Sequence, residues 1–223
     1  MKSSLVDYTM LSPNYNSRQD TKVTRITPHC VVGQFDAREV AGWKKFNDGK
    51  TASMNYVIGK DGKILCNVLE ENRAWTSGSR ENDYRAITIE CSSDKTSPYA
   101  FNDVVFNSLK ELIYDICVRY DKKGIIISTS ASDALEKEKN YPNFMIITYH
   151  KYFQNVECPG KWLIEHMNEV RDYVNNKLLS QDILYKVQVG AFKCRDNAEK
   201  LKNKLKEQGY SDAFIIETKT NNL

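Results

Sequence analysis

A long amphipathic segment between two strand-like runs constrains this fold more than any other part of the sequence. Residues 101–120 carry apolar side chains every three or four positions, which predicts a long helix with one wide apolar face. The run 85–91 precedes this helix and the run 124–127 follows it, and both are short and rich in β-branched residues. Strands and amphipathic helices that alternate in this way predict an α/β fold, with a central mixed β-sheet flanked by helices.

Further runs along the chain support the same fold class. Turn-forming residues bound four more strand-like runs, which cover residues 22–27, 53–58, 63–68 and 144–149. The second and third of these runs are joined by a turn that contains Asp61-Gly62, a strong hairpin signal. Apolar residues at helical spacing predict two more helices, over 36–46 and 162–179. The remaining segments are interpreted as an extended arm over 1–21 and as polar loops over 69–84 and 128–143, the last with a helical turn at 134–137.

Composition narrows the class of protein. The chain has 223 residues, of which 41% are hydrophobic, and its 32 basic and 29 acidic residues leave a net charge of +3. So small a charge gives no polycationic surface for nucleic acid, and no run approaches the ~20 apolar residues that span a bilayer. The amino terminus lacks the apolar segment of a signal peptide, and six cysteines lie scattered within apolar patterns. We therefore expect a soluble globular protein, made in a reducing cytoplasm, that binds neither nucleic acid nor membrane.

Two histidines and a cysteine form a candidate metal site. A strand-like run should present His150 at its tip, and Cys158 follows eight residues later, just before a Pro-Gly turn. Of the other two histidines, His29 ends a strand-like run whereas His166 lies inside a predicted helix, so His29 is the better third ligand. Imidazole and thiolate suit zinc, and three protein ligands with one open position are typical of a catalytic zinc. The alternative is that these residues are ordinary polar strand ends and a buried cysteine.

Glu90 and Trp75 are candidates for the chemistry around such a metal. Glu90 lies near the end of a predicted central strand, where an unpaired carboxylate is costly unless it is used. It is either a general base beside a zinc-activated water or a partner in a salt bridge to Arg85. Trp75 is the one tryptophan in a long polar loop, so it either lines a ligand groove or packs beneath the loop.

The character of the sequence changes near residue 184. Residues 185–192 alternate as a strand, 196–209 resemble a charged helix closed by glycine, and 213–217 form a second strand-like run. Such a βαβ unit holds too little core to be stable alone. The predicted organisation is therefore a catalytic domain over 1–179, a linker over 180–184 and a small C-terminal βαβ unit over 185–223.

Four blocks in the expected order carry a resemblance to a known family. They are Ile-Thr-Pro-His-Cys-Val-Val-Gly at 26–33, Ser-Met-Asn-Tyr-Val-Ile-Gly-Lys-Asp-Gly at 53–62, Asn-Asp-Tyr-Arg-Ala-Ile-Thr-Ile-Glu at 82–90, and His150 with Cys-Pro-Gly at 158–160. Over residues 5–178 the chain resembles zinc-dependent N-acetylmuramoyl-L-alanine amidases of the peptidoglycan-recognition superfamily, which include phage endolysins and bacterial autolysins. The resemblance implies an enzyme that cleaves the amide between N-acetylmuramic acid and L-alanine in bacterial peptidoglycan.

The resemblance also implies roles for individual residues. The zinc ligands of the family fall on His29, His150 and Cys158, and its catalytic glutamate falls on Glu90. Substrate contacts are expected from three residues, which are Trp75, Asn55 and Arg85.

Two positions depart from the pattern of the family. Many members have a lysine two residues before the ligand cysteine, where this chain has Val156. Either zinc alone is sufficient at this position, or Lys151 or Lys161 supplies the missing positive charge. Met54 stands where some relatives have a tyrosine, so no catalytic tyrosine is predicted.

The tail resembles the first half of a SPOR domain through residues 185–192, 197–199 and 209–210. SPOR domains bind glycan strands stripped of their stem peptides, so the resemblance implies attachment to the cell wall. The full SPOR plan is βαββαβ, and one βαβ from each of two chains could complete it in a homodimer.

Two other functions compete with the amidase. One is an inactive peptidoglycan receptor that uses the same groove, and the other is a zinc peptidase, although the chain has no His-Glu-x-x-His helix. The absent signal peptide and the family together favour a phage endolysin that reaches the wall after release through a separate pore.

Overall fold

The computed structural model describes residues 1–181 and 187–218. Nine strands are formed, at Tyr8–Thr9 (β1), Tyr15–Ser17 (β2), Arg25–Cys30 (β3), Tyr56–Ile58 (β4), Ile64–Cys66 (β5), Asn72–Ala74 (β6), Ala86–Cys91 (β7), Ile125–Ile127 (β8) and Met145–Ile147 (β9), within those described residues. The α-helices in the same residues are Ala37–Ala41 (α1), Lys44–Asn47 (α2), Arg80–Arg85 (α3), Asp103–Arg119 (α4), Ala131–Asn140 (α5), Lys161–Gln181 (α6) and Arg195–Glu207 (α7), and His150–Tyr152 form a 3-10 turn.

Seven of the strands build one mixed sheet in the order β1-β5-β4-β7-β3-β9-β8. The pair β4 and β5 is antiparallel, as the Asp-Gly turn predicts, and the other neighbours in this sheet are parallel. The predicted central position of β7 is confirmed, because β7 lies between β4 and β3. Since β3 and β7 are parallel and adjacent, their carboxyl ends meet at one edge of the sheet.

One face of this sheet is apolar and is covered by the two long helices. Ile26 of β3 and Ile89 of β7 pack in a single buried cluster with Leu109 and Ile113 of α4 and Val170 of α6. Each fully buried side chain of this size contributes about 1.5–3 kcal/mol relative to exposure. The apolar stripe read from the sequence of residues 101–120 is therefore the surface that fixes α4 on the sheet.

The opposite face carries polar side chains and is the floor of the candidate site. Thr27 is level with Thr88, and two residues further along His29 is level with Glu90. Thr27 shares a hydrogen bond of 2.7 Å with Thr148, and Asn82 donates to Thr27 at 3.0 Å. Successive residues of a strand alternate between faces, so this register brings Glu90 and His29 to the same side.

A buried ion pair stabilises the amino end of β3 on this polar face. The Arg25 guanidinium donates to Glu138 of α5 at 2.6 and 2.9 Å and to the Asn82 side chain at 3.1 Å. Both charged side chains are almost inaccessible to solvent. The contact ties α5 to the sheet, so the segment interpreted as a polar loop is instead a helix with a structural role.

Two other expectations for local structure were wrong. The predicted helix 36–46 is divided into α1 and α2, because the chain leaves the helical conformation at Trp43, whose backbone is extended. The segment 69–84, expected to be a loop, forms β6 and then begins α3. Strand β6 pairs antiparallel with β2 of the amino-terminal arm, and Ser79 caps α3 by accepting a hydrogen bond from the Asn82 amide. Short polar segments such as these acquire structure from partners distant in sequence.

The contacts divide the chain into two units, Met1–Asp182 and Ile183–Leu223. In the second unit the predicted helix is present as α7, with bounds close to those expected. The predicted strands are not formed over 187–192 or 213–217, and the residues 185–186 lie outside the described residues. Val187, Val189, Phe214 and Ile216 remain exposed. A single helix offers too small an apolar surface to hold two strands against it, which explains the difference.

The described residues contain no helix with the length and apolar character that a bilayer crossing requires.

Candidate active site

His29 lies near the carboxyl end of β3 and is buried in the middle of the sheet. Its Nδ1 lies 3.3 Å from the Cys158 sulfur, and its Nε2 is buried without a hydrogen-bond partner in the described part of the chain. Burial, and secondarily the nearby His150, lowers the pKa of His29 well below its usual value. A neutral imidazole with one nitrogen unpartnered is the form that can bind a metal ion.

His150 and Cys158 reach the same point from the loop that follows β9. His150 begins the 3-10 turn, and its Nε2 lies 3.0 Å from the Gln154 side-chain oxygen. The loop then folds back, since the Lys151 amide donates to the Cys158 carbonyl at 3.1 Å. The return depends on Gly160, whose φ is +90° and whose position leaves no space for a Cβ, because the Pro98 carbonyl would lie 2.9 Å away.

The three predicted ligands therefore converge. The ligand atoms of His29, His150 and Cys158 lie within 4.8 Å of one another, and the two imidazole centroids are 5.0 Å apart. Ligand atoms around a tetrahedral zinc are about 3.5 Å apart, so small side-chain movements would complete the geometry. Two imidazoles and a sulfur are a donor set that suits zinc. No other group of this kind occurs within residues 1–181 and 187–218.

The surroundings of Cys158 favour the protonated thiol over the thiolate. A hydrogen bond with the Cys30 thiol, followed by burial, raises the pKa of Cys158 well above its usual value. A metal cation at this point would favour the thiolate. The sulfur is thus suited to a ligand role and not to that of a free nucleophile.

Glu90 lies directly opposite His29 on the neighbouring strand, so the two backbones are about 4.8 Å apart. Its side chain is partly exposed, and burial raises its pKa to about 7, an effect that the positive charge of Lys45 reduces. The alternative of a salt bridge to Arg85 is not found, because Arg85 pairs with Glu81 and Glu138. A carboxylate beside the three ligands can accept and return a proton.

Trp75 makes its contacts with residues other than the three ligands. Its indole N–H donates to Asn16 at 2.8 Å, and its backbone exchanges hydrogen bonds with Ser53. Ser53 comes four residues before Val57, the residue level with Glu90, a stretch of chain that spans at most about 13 Å. The side chain is partly exposed, so it is accessible to a substrate.

Arg85 is distant from the ligands. It precedes β7 and lies five residues from Glu90, or about 16 Å along the strand. Its guanidinium donates to Glu138 at 3.0 Å, next to the buried Arg25. The role that the contacts support is charge balance around Glu138, not a contact with substrate at the metal ligands.

Asn55 is fully buried and uses its side chain within the fold. Its carbonyl oxygen accepts from the Thr88 amide at 3.0 Å, and its amide nitrogen donates to the Val68 and Asn72 carbonyls at 3.2 and 3.4 Å. The geometry contradicts a direct substrate contact, because no polar atom of this side chain reaches the surface.

An Asn55→Ala variant should therefore lose stability and keep its affinity for substrate. The substitution leaves the Thr88 amide without the side-chain oxygen that accepts its hydrogen bond, at a cost of roughly 1–3 kcal/mol for such a buried group. Thermal unfolding measures the loss, and KM is measured at a temperature where the variant is folded. A raised KM with an unchanged melting temperature would instead show that Asn55 contributes to substrate binding.

The structure also shows the surroundings of lysines that could supply the positive charge missing at Val156. Lys161 pairs with Glu165 on the surface of α6, and Val156 is exposed. Lys45, which the sequence did not single out, is the cation whose charge acts on Glu90. Gln154 was also missed, although its spacing of four residues from His150 could have indicated the contact between them.

Two family models match parts of this sequence. Residues 19–161 match the family model described as N-acetylmuramoyl-L-alanine amidase, and residues 180–223 match that of the SPOR domain. No curated protein has a significantly similar sequence.

Solved structures share the fold of the first unit. A selenomethionine derivative of AmpD has 18% identity and a TM-score of 0.52, and the match covers 75% of this chain and 94% of AmpD. The Staphylococcus aureus hydrolase AmiA, solved with its ligand, has 19% identity and a TM-score of 0.53, over 78% of this chain and 82% of AmiA. A mutant endolysin from Bacillus subtilis has 14% identity and a TM-score of 0.50, over 76% and 99%.

The family match covers well over half of the 223 residues and includes both histidines and the cysteine that converge in the structure. The chain therefore belongs to the N-acetylmuramoyl-L-alanine amidase family and is a peptidoglycan amidase.

Proposed function

We propose that the protein cleaves the amide between N-acetylmuramic acid and L-alanine at a zinc ion held by His29, His150 and Cys158. The observation that carries this proposal is the convergence of these three side chains beside Glu90. When bound, zinc polarises the carbonyl of the amide and lowers the pKa of a water molecule. The residues of the chain then hold the amide in place and transfer the protons.

Glu90 has the position and the chemistry for both proton transfers. Its carboxylate takes a proton from the attacking water and gives it to the nitrogen of L-alanine as the C–N bond breaks. The partly buried setting keeps this carboxylate free of a fixed ion pair, since Arg85 is occupied by Glu81 and Glu138. Lys45 is a positive charge that acts on Glu90 and opposes the effect of burial on its pKa.

A digest of purified cell wall tests the proposal. The protein should release new amino termini of L-alanine, and a chelator should stop their release until zinc is restored. Bound zinc without any release would instead support the inactive receptor, and new termini within the stem peptide would support a zinc peptidase.

We further propose that the C-terminal unit attaches the enzyme to glycan strands of the wall. The support is the SPOR match over residues 180–223, together with the exposed aromatic side chains Phe192, Tyr210 and Phe214, which suit contact with sugar rings.

Removing the C-terminal unit should separate attachment from hydrolysis. A chain of residues 1–181 retains every proposed ligand and Glu90, so it should cleave soluble muropeptides at nearly the rate of the full chain. Its co-sedimentation with purified wall should fall severalfold. Equal co-sedimentation of the two chains would show that the C-terminal unit does not contribute to wall binding.

A homodimer through the C-terminal unit is a second use of its exposed apolar side chains. Val187, Val189 and Ile216 would be buried if two chains completed one sheet. Light scattering of the full chain and of residues 1–181 tests this proposal, which requires that only the full chain dimerises.

We also propose that the enzyme reaches the wall after release from the cytoplasm through a separate pore. The free thiols, five of which are at least partly buried, are typical of synthesis in a reducing compartment, whereas the substrate lies outside the membrane. Expression inside cells should then be harmless until the membrane is permeabilised. Lysis on expression alone, without a pore, would contradict this route.

A further inference from the structure

Gln154 contacts His150 twice from within the same loop. Its backbone amide donates to the His150 carbonyl at 3.2 Å, and its side-chain oxygen lies 3.0 Å from the Nε2 of the His150 ring. The other ring nitrogen, Nδ1, has no hydrogen-bond partner among the described residues. The ring therefore has one nitrogen engaged by Gln154 and one that is available to a metal ion.

The direction of this hydrogen bond follows from the surroundings of the Gln154 carboxamide. Its amide nitrogen is the atom nearest to the place that a Cβ of Gly78 would fill, whereas its oxygen faces His150. A carboxamide oxygen accepts hydrogen bonds and cannot donate them, so Nε2 of the ring carries the proton. The neutral ring then has its lone pair on Nδ1, which is the tautomer that can bind a metal ion through Nδ1.

Gly78 lies in a short loop that a buried carboxylate holds in place. The Asp83 side chain accepts from the Thr76 amide at 3.0 Å, from the Ser77 amide at 3.1 Å and from the Ser77 hydroxyl at 2.6 Å. Asp83 itself is 3% exposed. The loop is therefore a fixed surface on which the Gln154 side chain packs.

This packing matters because the contact between Gln154 and His150 is open to solvent. Residues 154–157 are all exposed, and a single hydrogen bond between exposed side chains is weak, since water competes for both groups. Contact with Gly78 restricts the carboxamide before the bond forms, so less side-chain entropy is lost in forming it. The bond to the histidine therefore depends on the glycine as well as on the glutamine.

We propose that Gln154 is a positioning residue, which holds the His150 ring in the Nε2–H tautomer and leaves Nδ1 for the zinc ion. This inference rests on the proposed function, because it takes His150 as a metal ligand. A hydrogen-bond partner of this kind fixes the orientation of a ligand histidine and raises its basicity. Its loss typically lowers metal affinity about 10- to 100-fold.

Zinc affinity and the histidine tautomer test this proposal without any measurement of hydrolysis. Gln154→Met keeps the length of the side chain but offers no oxygen, so zinc binding in competition with a chromogenic chelator should weaken about tenfold or more. In the zinc-free protein, NMR of the imidazole nitrogens should show the Nε2–H tautomer of His150 in the wild type and a mixture of tautomers in the variant. Gln154→Glu keeps an acceptor, so it should match or exceed the wild-type affinity.

Gly78→Ala tests the same contact from the opposite side. The added methyl group would overlap the Gln154 carboxamide and displace it, so zinc affinity should fall by a similar factor. Gly49→Ala is the matched control, because Gly49 has a similar positive φ, +73° against +67°, and no atom of the described residues lies within 4 Å of its Cβ position. Added to Gln154→Met, Gly78→Ala should cause no further loss, since both changes remove one interaction.

Asn155→Ala separates the hydrogen bond from the integrity of the loop. Asn155 is the exposed neighbour of Gln154, and its side chain makes no hydrogen bond in the described part of the chain, so zinc affinity should not change. Unchanged affinity and tautomer in Gln154→Met, or an equal loss in Asn155→Ala, overturns the proposal even if the wall digest shows hydrolysis. Zinc binding that depends on Gln154, without release of L-alanine termini, supports the positioning role and defeats the proposed reaction instead.

Discussion

A Cys158→Ser variant is expected to lose bound zinc and hydrolytic activity together. Serine is a poor zinc ligand because its hydroxyl stays protonated, so two imidazoles would remain to hold the ion. A metal ion contributes several kcal/mol to a hydrolytic transition state, which corresponds to a loss of about a thousandfold or more in rate. Metal content by elemental analysis and release of L-alanine termini are measured on the same preparation.

Cys194→Ser is the matched control for this experiment. Cys194 is exposed in the second unit, and replacing it removes a thiol without touching the ligand cluster. The control should keep one zinc per chain and full activity. Stoichiometric zinc with normal turnover in Cys158→Ser would remove the cysteine from the ligand set and leave only two histidines as ligands.

The ligand residues could be predicted because the two histidines follow strand-like runs and the cysteine precedes a turn. The apolar runs before His29 and His150 identified buried strands, and the Pro-Gly turn after Cys158 marked the end of a loop. The structure brings these three side chains together at one edge of the sheet. Periodicity could not give the distances between them, since these depend on strand order, and β3 is adjacent to β9 although 114 residues separate the end of one from the start of the other.

The residues that contact substrate could not be predicted in the same way as the metal ligands. Asn55 and Arg85 were assigned from the resemblance, yet the structure uses both side chains for internal bonds. A polar residue in a strand gives the same sequence signal whether its side chain faces solvent or a buried partner. The hydrogen-bond partners of Asn55 lie on β7 and on the chain after β5, and no local sequence pattern identifies them.

The second unit shows a different limit. Residues 187–192 alternate as a strand should, and the structure leaves them without strand pairing. The alternation of apolar and polar residues indicates that one face of the segment is suited to burial. The described residues of this unit contain only one element, α7, that could cover such a face. The sequence pattern therefore identifies the apolar face of a segment, but it does not show whether the rest of the unit provides a surface on which that face can pack.

A Glu90→Gln variant is expected to retain zinc and lose turnover. Glutamine keeps the volume of the side chain and its place opposite His29, so the ligand cluster should be unchanged. It cannot accept a proton, and the loss of general acid–base catalysis should reduce kcat about 10²- to 10⁴-fold. The melting temperature should not fall, because the substitution removes a carboxylate whose burial already opposes its charge.

Glu138→Gln gives the opposite pattern and serves as the control. That carboxylate balances the buried Arg25 and the nearby Arg85, so its neutralisation should lower the melting temperature by weakening a buried ion pair. Turnover per folded molecule should persist, since Glu138 contacts neither the ligands nor Glu90. If Glu90→Gln loses zinc as well as turnover, Glu90 supports the ligands rather than transferring protons, and if it keeps full turnover, another group must perform both transfers.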